Sequence, residues 1–233
     1  MSPPTVMVTG ANRGLGLEFA RQYAADGWRV IGTHRTPGSE CDLLALGAQV
    51  ESHPLDVTDQ QAVQALARRL DGTSIDLFIA NAGVMPSLPG TAPLDIPDAA
   101  WQQAFTVNVV APLACAAAFA PHIARSRQRK LVALSSWVAS IGSNTAGGHY
   151  VYRASKSALN AVWRSFAIDH PELIAVLLSP GALRTDMTHY DQARWDSLPL
   201  PQQSIAKLRA IIAGLDQADS GTFHHVDGTR LPW

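Results

Sequence analysis

Along its whole length this chain alternates short β-rich runs with helical patterns, and several of the β-rich runs are apolar without interruption. Leu131-Val132-Ala133-Leu134 and Ile174-Ala175-Val176-Leu177-Leu178 are the clearest. A strand that is apolar on both faces must be covered on both, which a parallel sheet flanked by helices provides. Strands are expected at 5–9, 29–34, 49–55, 75–80, 130–135, 173–179 and 222–226. Helices are expected near 15–26, 59–71, 98–124, 149–169 and 202–213, with a weaker one near 40–47. In the first helix Leu15, Phe19 and Tyr23 recur at i+4 and form an apolar stripe. The alternation predicts an α/β fold, a doubly wound parallel sheet of about seven strands with helices on both faces. No repeat, linker or low-complexity block divides the 233 residues, so one domain over 1–233 is expected.

Composition narrows the function classes. The chain is 47% hydrophobic and 16% charged, which suits a sizeable core. A net charge of −1 gives no reason to expect nucleic acid or an anionic membrane as partner. Met1 to Pro4 runs straight into Thr5-Val6-Met7-Val8, leaving no room for a signal peptide, and the apolar run Val107 to Ala120 is short and holds Pro112. A cytoplasmic protein is the expectation. Cys41 and Cys115 make neither a disulfide framework nor a metal site, and His224-His225 has no further ligand pattern.

The first strand–helix junction reads Thr9-Gly10-Ala11-Asn12-Arg13-Gly14-Leu15-Gly16. Glycines there allow a tight turn and close approach of backbone to a pyrophosphate, and the free N–H groups of the helix N-terminus attract the anion. In an alternating α/β chain this is the dinucleotide-binding signature of a Rossmann-type sheet. The second strand ends Gly32-Thr33-His34-Arg35 with no acid to accept from a ribose 2′-hydroxyl. Arg35 and Arg13 would instead meet a 2′-phosphate, so NADP(H) is favoured over NAD(H).

Tyr152 and Lys156 lie four residues apart, on one face of a helix. A phenol near its ordinary pKa of ~10 is a poor proton donor or acceptor at neutral pH, and a fixed cation beside it would draw that value down. The doublet Ser135-Ser136 lies upstream. Strand alternation puts the two serines on opposite faces, so only one should reach a site shared with Tyr152. Tyr150 is a rival tyrosine, but Ala154 at i+4 offers it no cation.

With these residues in view the chain resembles the short-chain dehydrogenase/reductase family nearly end to end. The matching pieces are Thr9-Gly10 to Gly16, Leu55-Asp56-Val57, Asn81-Ala82-Gly83, Asn108, Ser136, Tyr152/Lys156 and Ser179-Pro180-Gly181 to Thr185. The wording of Tyr152 to Asn160 and of Asp227 to Trp233 is similar to the branch of sniffer-type carbonyl reductases and C-factor-like proteins. The resemblance implies NADPH-dependent reduction of a small carbonyl compound, with Tyr152 as general acid and base, Ser136 on the substrate oxygen and Lys156 on the nicotinamide ribose. It selects Ser136 over Ser135. It also implies that Asp56 meets the adenine amino group with Val57 beside the ring, and that Asn81-Ala82-Gly83 closes the fourth strand under the adenosine. Pro180 to Thr185 would hold the carboxamide, Leu183 by its backbone and Thr185 by its hydroxyl.

Asn108 precedes Pro112 by four residues, so its carbonyl loses an intrahelical partner and the helix should bend. A carbonyl freed there could hold a water, which in the family links the lysine to solvent. Ser136 and Tyr152 are 16 positions apart, more than in many relatives, and the Gly/Ser/Asn-rich loop 140–148 is expected to absorb the extra length. Trp137, Met85, Met187, Tyr190 and Trp195 are candidates to line a substrate pocket under a short lid, residues 186–204. His149 could approach its mouth. The long helices 98–124 and 149–169 leave open either a homodimer or exposure to solvent. A second reading keeps the fold and uses the dinucleotide only as a ligand for sensing.

Overall fold

The computed structural model describes residues 2–233, and its seven strands form one parallel sheet in the order β3-β2-β1-β4-β5-β6-β7. In chain order the elements are β1 (Thr5–Val8), α1 (Gly14–Ala25), β2 (Arg29–His34), α2 (Cys41–Leu44), β3 (Val50–Pro54), α3 (Gln60–Arg69) and β4 (Leu77–Ala80). They continue with α4 (Asp98–Phe105), α5 (Ala111–Ala124), β5 (Lys130–Leu134), α6 (Tyr150–Asp169), β6 (Ile174–Ser179), α7 (Gln192–Ser197), α8 (Pro201–Gly214) and β7 (Phe223–His225). The expected strands all form, each within a residue or two of its anticipated ends.

Alternation along each strand sorts the core into two layers. Met7, Ile31, Phe78, Leu131 and Leu177 face α3, α5 and α6, where they pack with Leu66, Phe119, Trp163 and Phe166. Their neighbours Val6, Val8, Val30, Ile79, Val132 and Val176 face the other way, onto Phe19, Tyr23, Leu208 and Ile212 of α1 and α8. Burying each such side chain is worth about 1.5–3 kcal/mol, so both helical layers are held by the strands rather than by helix propensity. Between β1 and β4 the chain switches direction across the sheet, and the crevice at the strand C-termini opens there.

Two expectations change in form. The helix over 98–124 does not simply bend at Asn108: a π-turn over Thr106–Val110 separates α4 from α5, with the Ala111 N–H donating to the Thr106 carbonyl. Pro112 offers no N–H, and slipping to the i+5 register removes one residue from the ladder just before it. The whole run Asp98–Ala124, 27 residues with an 18-residue window of mean hydropathy 1.6, is also long and apolar enough to cross a membrane, which its shorter apolar part did not suggest. Half of that window is buried within the protein, and Cys115, Ala116, Phe119 and Ile123 sit in the core. The weak helix near 40–47 is a single turn, Cys41–Leu44, and the lid region contains the unexpected short helix α7.

Candidate active site

At the C-terminal end of β1, Thr9 organises the glycine turn. Its hydroxyl accepts from the backbone N–H groups of Asn81 and Ala82 at 3.0 and 3.1 Å. The Asn81 amide donates back to the carbonyls of Thr9 and Gly10 at 2.9 and 3.1 Å. These bonds join the ends of β1 and β4. Gly10 takes φ +65, a left-handed value that favours glycine. Gly16 serves packing instead: a Cβ there would stand 2.2 Å from the Gly10 carbonyl oxygen and 2.6 Å from the Asn81 amide nitrogen.

Toward the end of β2 the cleft wall carries Arg35, Thr36 and Ser39. Asn12 donates to the Ser39 hydroxyl at 3.1 Å, tying this loop to the glycine turn. Glu40, the nearest loop acid in sequence, is turned to His34 at 3.3 Å. Arg13 lines the same cleft but reaches across it to Asp186 at 3.0 Å, so it stands apart from Arg35 in carrying an acidic partner. Both members of that bridge are exposed, and it contributes little to stability. Asp56 accepts from the backbone and hydroxyl of Thr58 at 2.9 and 2.7 Å; these bonds, with Arg35 nearby, hold its carboxyl below the usual range.

The serine doublet at the end of β5 divides as alternation requires. Ser135 is buried and donates to Asn160 on α6 at 2.7 Å, whereas the Ser136 hydroxyl stands close enough to the Tyr152 phenol to lower its pKa. Tyr152 and Lys156 follow one another on α6, with the Lys156 ammonium nitrogen 5.8 Å from the centre of the phenol ring. That ammonium donates to the Leu134 carbonyl at 2.7 Å. Here one expectation is corrected. The phenol is not drawn down: burial pushes it up to about 12, offset only in part by Ser136, and burial pulls Lys156 down to about 8. Desolvation disfavours the charged form of each group, and it outweighs their mutual attraction while the amine is turned to a carbonyl.

Asn108 has a role that its carbonyl did not suggest. Fully buried on the π-turn, its side chain accepts from the Val84 N–H at 2.9 Å and donates to the Val84 carbonyl at 2.9 Å and the Ser155 hydroxyl at 3.0 Å. It thereby joins the chain leaving β4 to the helix bearing Tyr152. A Cβ added at Gly83 would lie 3.2 Å from the Asn108 amide oxygen and 3.6 Å from the Lys156 ammonium, so Gly83, Asn108 and Lys156 meet at one point.

A cleft of about 1320 Å³ gathers most of the expected residues on its walls. Gly10, Asn12, Arg13, Gly14, Leu15, Arg35, Asp56, Val57, Asn81, Ala82, Gly83, Tyr152, Lys156, Pro180 and Thr185 all line it. Gly16, Asn108, Ser136, Gly181 and Leu183 do not, and it is Ser135 of the doublet that reaches the wall. Gly181 serves the turn after β6 at φ +78, and Leu183 is buried with its carbonyl accepting from Thr188 at 2.6 Å. Met85, Met187 and Tyr190 reach the cleft as expected, while Trp137 and Trp195 do not line it. Trp195 instead donates to the Thr185 carbonyl at 3.0 Å and packs its ring against His189 and Arg184. Gln102, Gln103 and Thr106 of α4 and its π-turn also line the cleft. Their i, i+1, i+4 spacing was visible, but which face of α4 meets the cleft depends on docking against α6. Among the described residues no cluster of His, Cys, Asp and Glu could hold a metal ion.

Comparison with known proteins agrees with this fold. Residues 4–195 match the family described as short chain dehydrogenase. The chain is 37% identical to the 1-hydroxy-2-glutathionyl-2-methyl-3-butene dehydrogenase of Rhodococcus sp. (strain AD45), over 98% of this chain and 99% of that protein. It is 36% identical to the C-signal of Myxococcus xanthus, over 73% of this chain and 100% of that protein. Among solved structures, an NADPH-bound carbonyl reductase from chicken fatty liver superposes with a TM-score of 0.88 at 28% identity, covering 100% of both chains.

Proposed function

This chain belongs to the short-chain dehydrogenase family, and we propose that within it the protein reduces an aldehyde or ketone to the alcohol with NADPH as hydride donor. The observation that carries the reading is the pairing of Tyr152 and Lys156 on the wall of a cleft that the glycine turn also lines, with Ser136 acting on the Tyr152 phenol from beside it. A sensing role would need the cleft but not this set, so the set supports turnover.

The residues present fit a phosphorylated dinucleotide. Gly10 and Gly14 at positive φ leave the backbone of the turn open, and a Cβ at Gly14 would meet nothing within 4 Å. Among the described residues Arg35 has no carboxylate within bridging distance, and Thr36 and Ser39 line the same wall of the cleft. That charge supports NADPH over NADH, as does the NADPH carried by the chicken reductase. Asp56, Val57, Asn81 and Ala82 would flank the adenosine, Lys156 the nicotinamide ribose, and Pro180 and Thr185 the carboxamide.

NADPH, when bound, supplies the hydride that goes to the carbonyl carbon. The chain's own groups manage the oxygen. Ser136 donates a hydrogen bond to it, strongest as negative charge develops. Tyr152 passes its phenolic proton to the same oxygen, as general acid. Burial holds that proton on the phenol until the oxygen becomes the stronger base. Lys156, one helical turn away, favours the phenolate that is left. Asn108 fixes the floor by holding Val84 and Ser155, and its own carbonyl, to which Pro112 offers no N–H, would order a water for returning the proton.

The deciding experiment is Tyr152→Phe, assayed against a panel of aldehydes, ketones and quinones with NADPH and with NADH. The expected result is loss of NADPH oxidation with NADPH affinity, read by fluorescence titration, kept within about threefold. A Phe variant that turns over normally would overturn the assignment.

A further inference from the structure

The helix that carries Tyr152 starts from a run of left-handed backbone. Gly147 and Gly148 both stand at φ +65 and His149, the residue before α6, at φ +53. Glycine adopts this conformation freely, whereas a residue with a Cβ does so only where its surroundings hold it. Two side chains hold this turn: Asn144 accepts from the Gly147 N–H at 3.0 Å within the loop, and Arg153, the residue after Tyr152, holds its carbonyls. Its guanidinium donates to the Gly147 carbonyl at 3.1 Å and the Gly148 carbonyl at 3.4 Å. A third bond, at 2.6 Å, goes to the Val138 carbonyl.

Val138 is two residues beyond Ser136, and its N–H points to the Ser136 hydroxyl at 3.4 Å. One planar cation therefore ties both ends of the connection between Ser136 and Tyr152. Its fork suits this task, because three carbonyls in different directions need a rigid donor with several N–H groups, which a lysine lacks. Other bonds fix the same segment more locally: Ser157 donates to the Ala139 carbonyl at 2.7 Å, and the Trp137 N–H donates to the Ser179 hydroxyl at 2.8 Å. Neither of these reaches the left-handed turn. Among the described residues Arg153 meets no carboxylate within ion-pair distance, so its charge is met by these carbonyls.

We propose that Arg153 is a positioning residue: by clamping Val138 to the turn at Gly147-Gly148, it sets where the Ser136 hydroxyl stands relative to the Tyr152 phenol. The inference rests on the reductase reading. It also accounts for the long spacing between Ser136 and Tyr152, because the extra loop residues bulge outward while the clamp keeps the two ends together.

The test uses Arg153→Gln and Arg153→Lys, each alone and combined with Ser136→Ala. A displacement of about 1 Å at a catalytic group costs on the order of 10²-fold in rate, so Arg153→Gln should lower kcat by about that factor with KM for NADPH little changed. Lysine should restore only a small part. If Arg153 acts through Ser136, then in the Ser136→Ala background its loss should cost less than about threefold more. Independent, multiplying effects would overturn the proposal, as would a glutamine variant that loses thermal stability but keeps kcat. Should that variant fail to fold, the lysine variant carries the same comparison. Hydrogen exchange without cofactor gives a readout apart from turnover. The amides of residues 138–143 and 147–149 should exchange at least about tenfold faster in the variants, and unchanged exchange there would sink the clamp. A fully active Tyr152→Phe would instead point to failure of the reductase reading, with the exchange result still judging the clamp.

Discussion

Ser135 and Asn160 share a buried hydrogen bond, Oγ to Oδ1, at 2.7 Å. It fastens β5 to α6 one residue before Ser136 and removes Ser135 from the chemistry. Two adjacent serines thus have separate tasks that substitution can tell apart. Ser135→Ala should destabilise the fold by about 1–2 kcal/mol, because it strips the Asn160 carbonyl of its donor while the Asn160 amide nitrogen already has no partner. Ser136→Ala should leave the melting temperature unchanged and lower kcat by about 10²–10³-fold. Thermal unfolding beside steady-state kinetics checks both. An inactive Ser135→Ala of normal stability would refute the division.

Cofactor preference should depend on Arg35 more than on Arg13. Arg35 lines the cleft with Asp56 nearby but, among the described residues, with no carboxylate in ion-pair contact, whereas Arg13 already bridges Asp186 at 3.0 Å. A charge-assisted bond to a phosphate is worth about 1.5–3 kcal/mol. Arg35→Ala should therefore raise KM for NADPH by about 10–100-fold and leave NADH nearly untouched, with a smaller effect for Arg13→Ala. The ratio of kcat/KM for the two cofactors is the measurement, and an unchanged ratio would count against the 2′-phosphate site.

The alkaline limb of activity should report Lys156. In the free enzyme burial holds Tyr152 protonated up to about 12, but the ammonium is pulled down to about 8. Both groups carry their proton at neutral pH, as reduction requires. As pH rises through about 8 the ammonium is lost first, so kcat/KM for NADPH should fall there while the phenol is still protonated. A profile flat to pH 10 would contradict this.

Lys130 closes the far end of the molecule. Its buried ammonium donates to the carbonyls of Ile212 and Ala213, at 2.7 and 2.9 Å, near the C-terminal end of α8. A cation there also complements the helix dipole. Lys130→Met should cost about 1.5–3 kcal/mol in urea unfolding with turnover kept.

Stability should decline on the acid side before the carboxylates titrate. Burial is the largest cause lowering the pKa of both His122 and His224, with Arg125 adding to it at His122 and Arg230 at His224. The unfolded chain, near 6.5, then takes up protons at a pH where the fold resists them. Stability is full above about pH 6.5 and is lost as pH falls below it. Comparing urea midpoints at pH 7.5 and 5.5 checks the direction. His122→Gln, which keeps a donor for the Ala67 carbonyl accepted at 3.1 Å, should reduce the loss.

What could be read from residues alone was whatever depends on near neighbours in the chain. Strand and helix limits followed from periodicity. The glycine turn and the Tyr152/Lys156 pair followed from spacing within a single turn or helix. The resemblance then pointed to Asn108, Ser136 and a candidate cofactor wall, because motif order survives where the contacts themselves are hidden. Folding alone decided the rest. Thr9 binds Asn81 across 72 positions and Arg153 clamps a loop 15 positions upstream, pairings without a local pattern. Whether helix 98–124 would bend or slip into a π-turn was settled by what Asn108 met on its buried face. The direction of the Tyr152 shift likewise depends on burial, a sum over every element packed around the phenol. Local spacing can place a cation beside a hydroxyl, but only the assembled protein sets how much water remains between them.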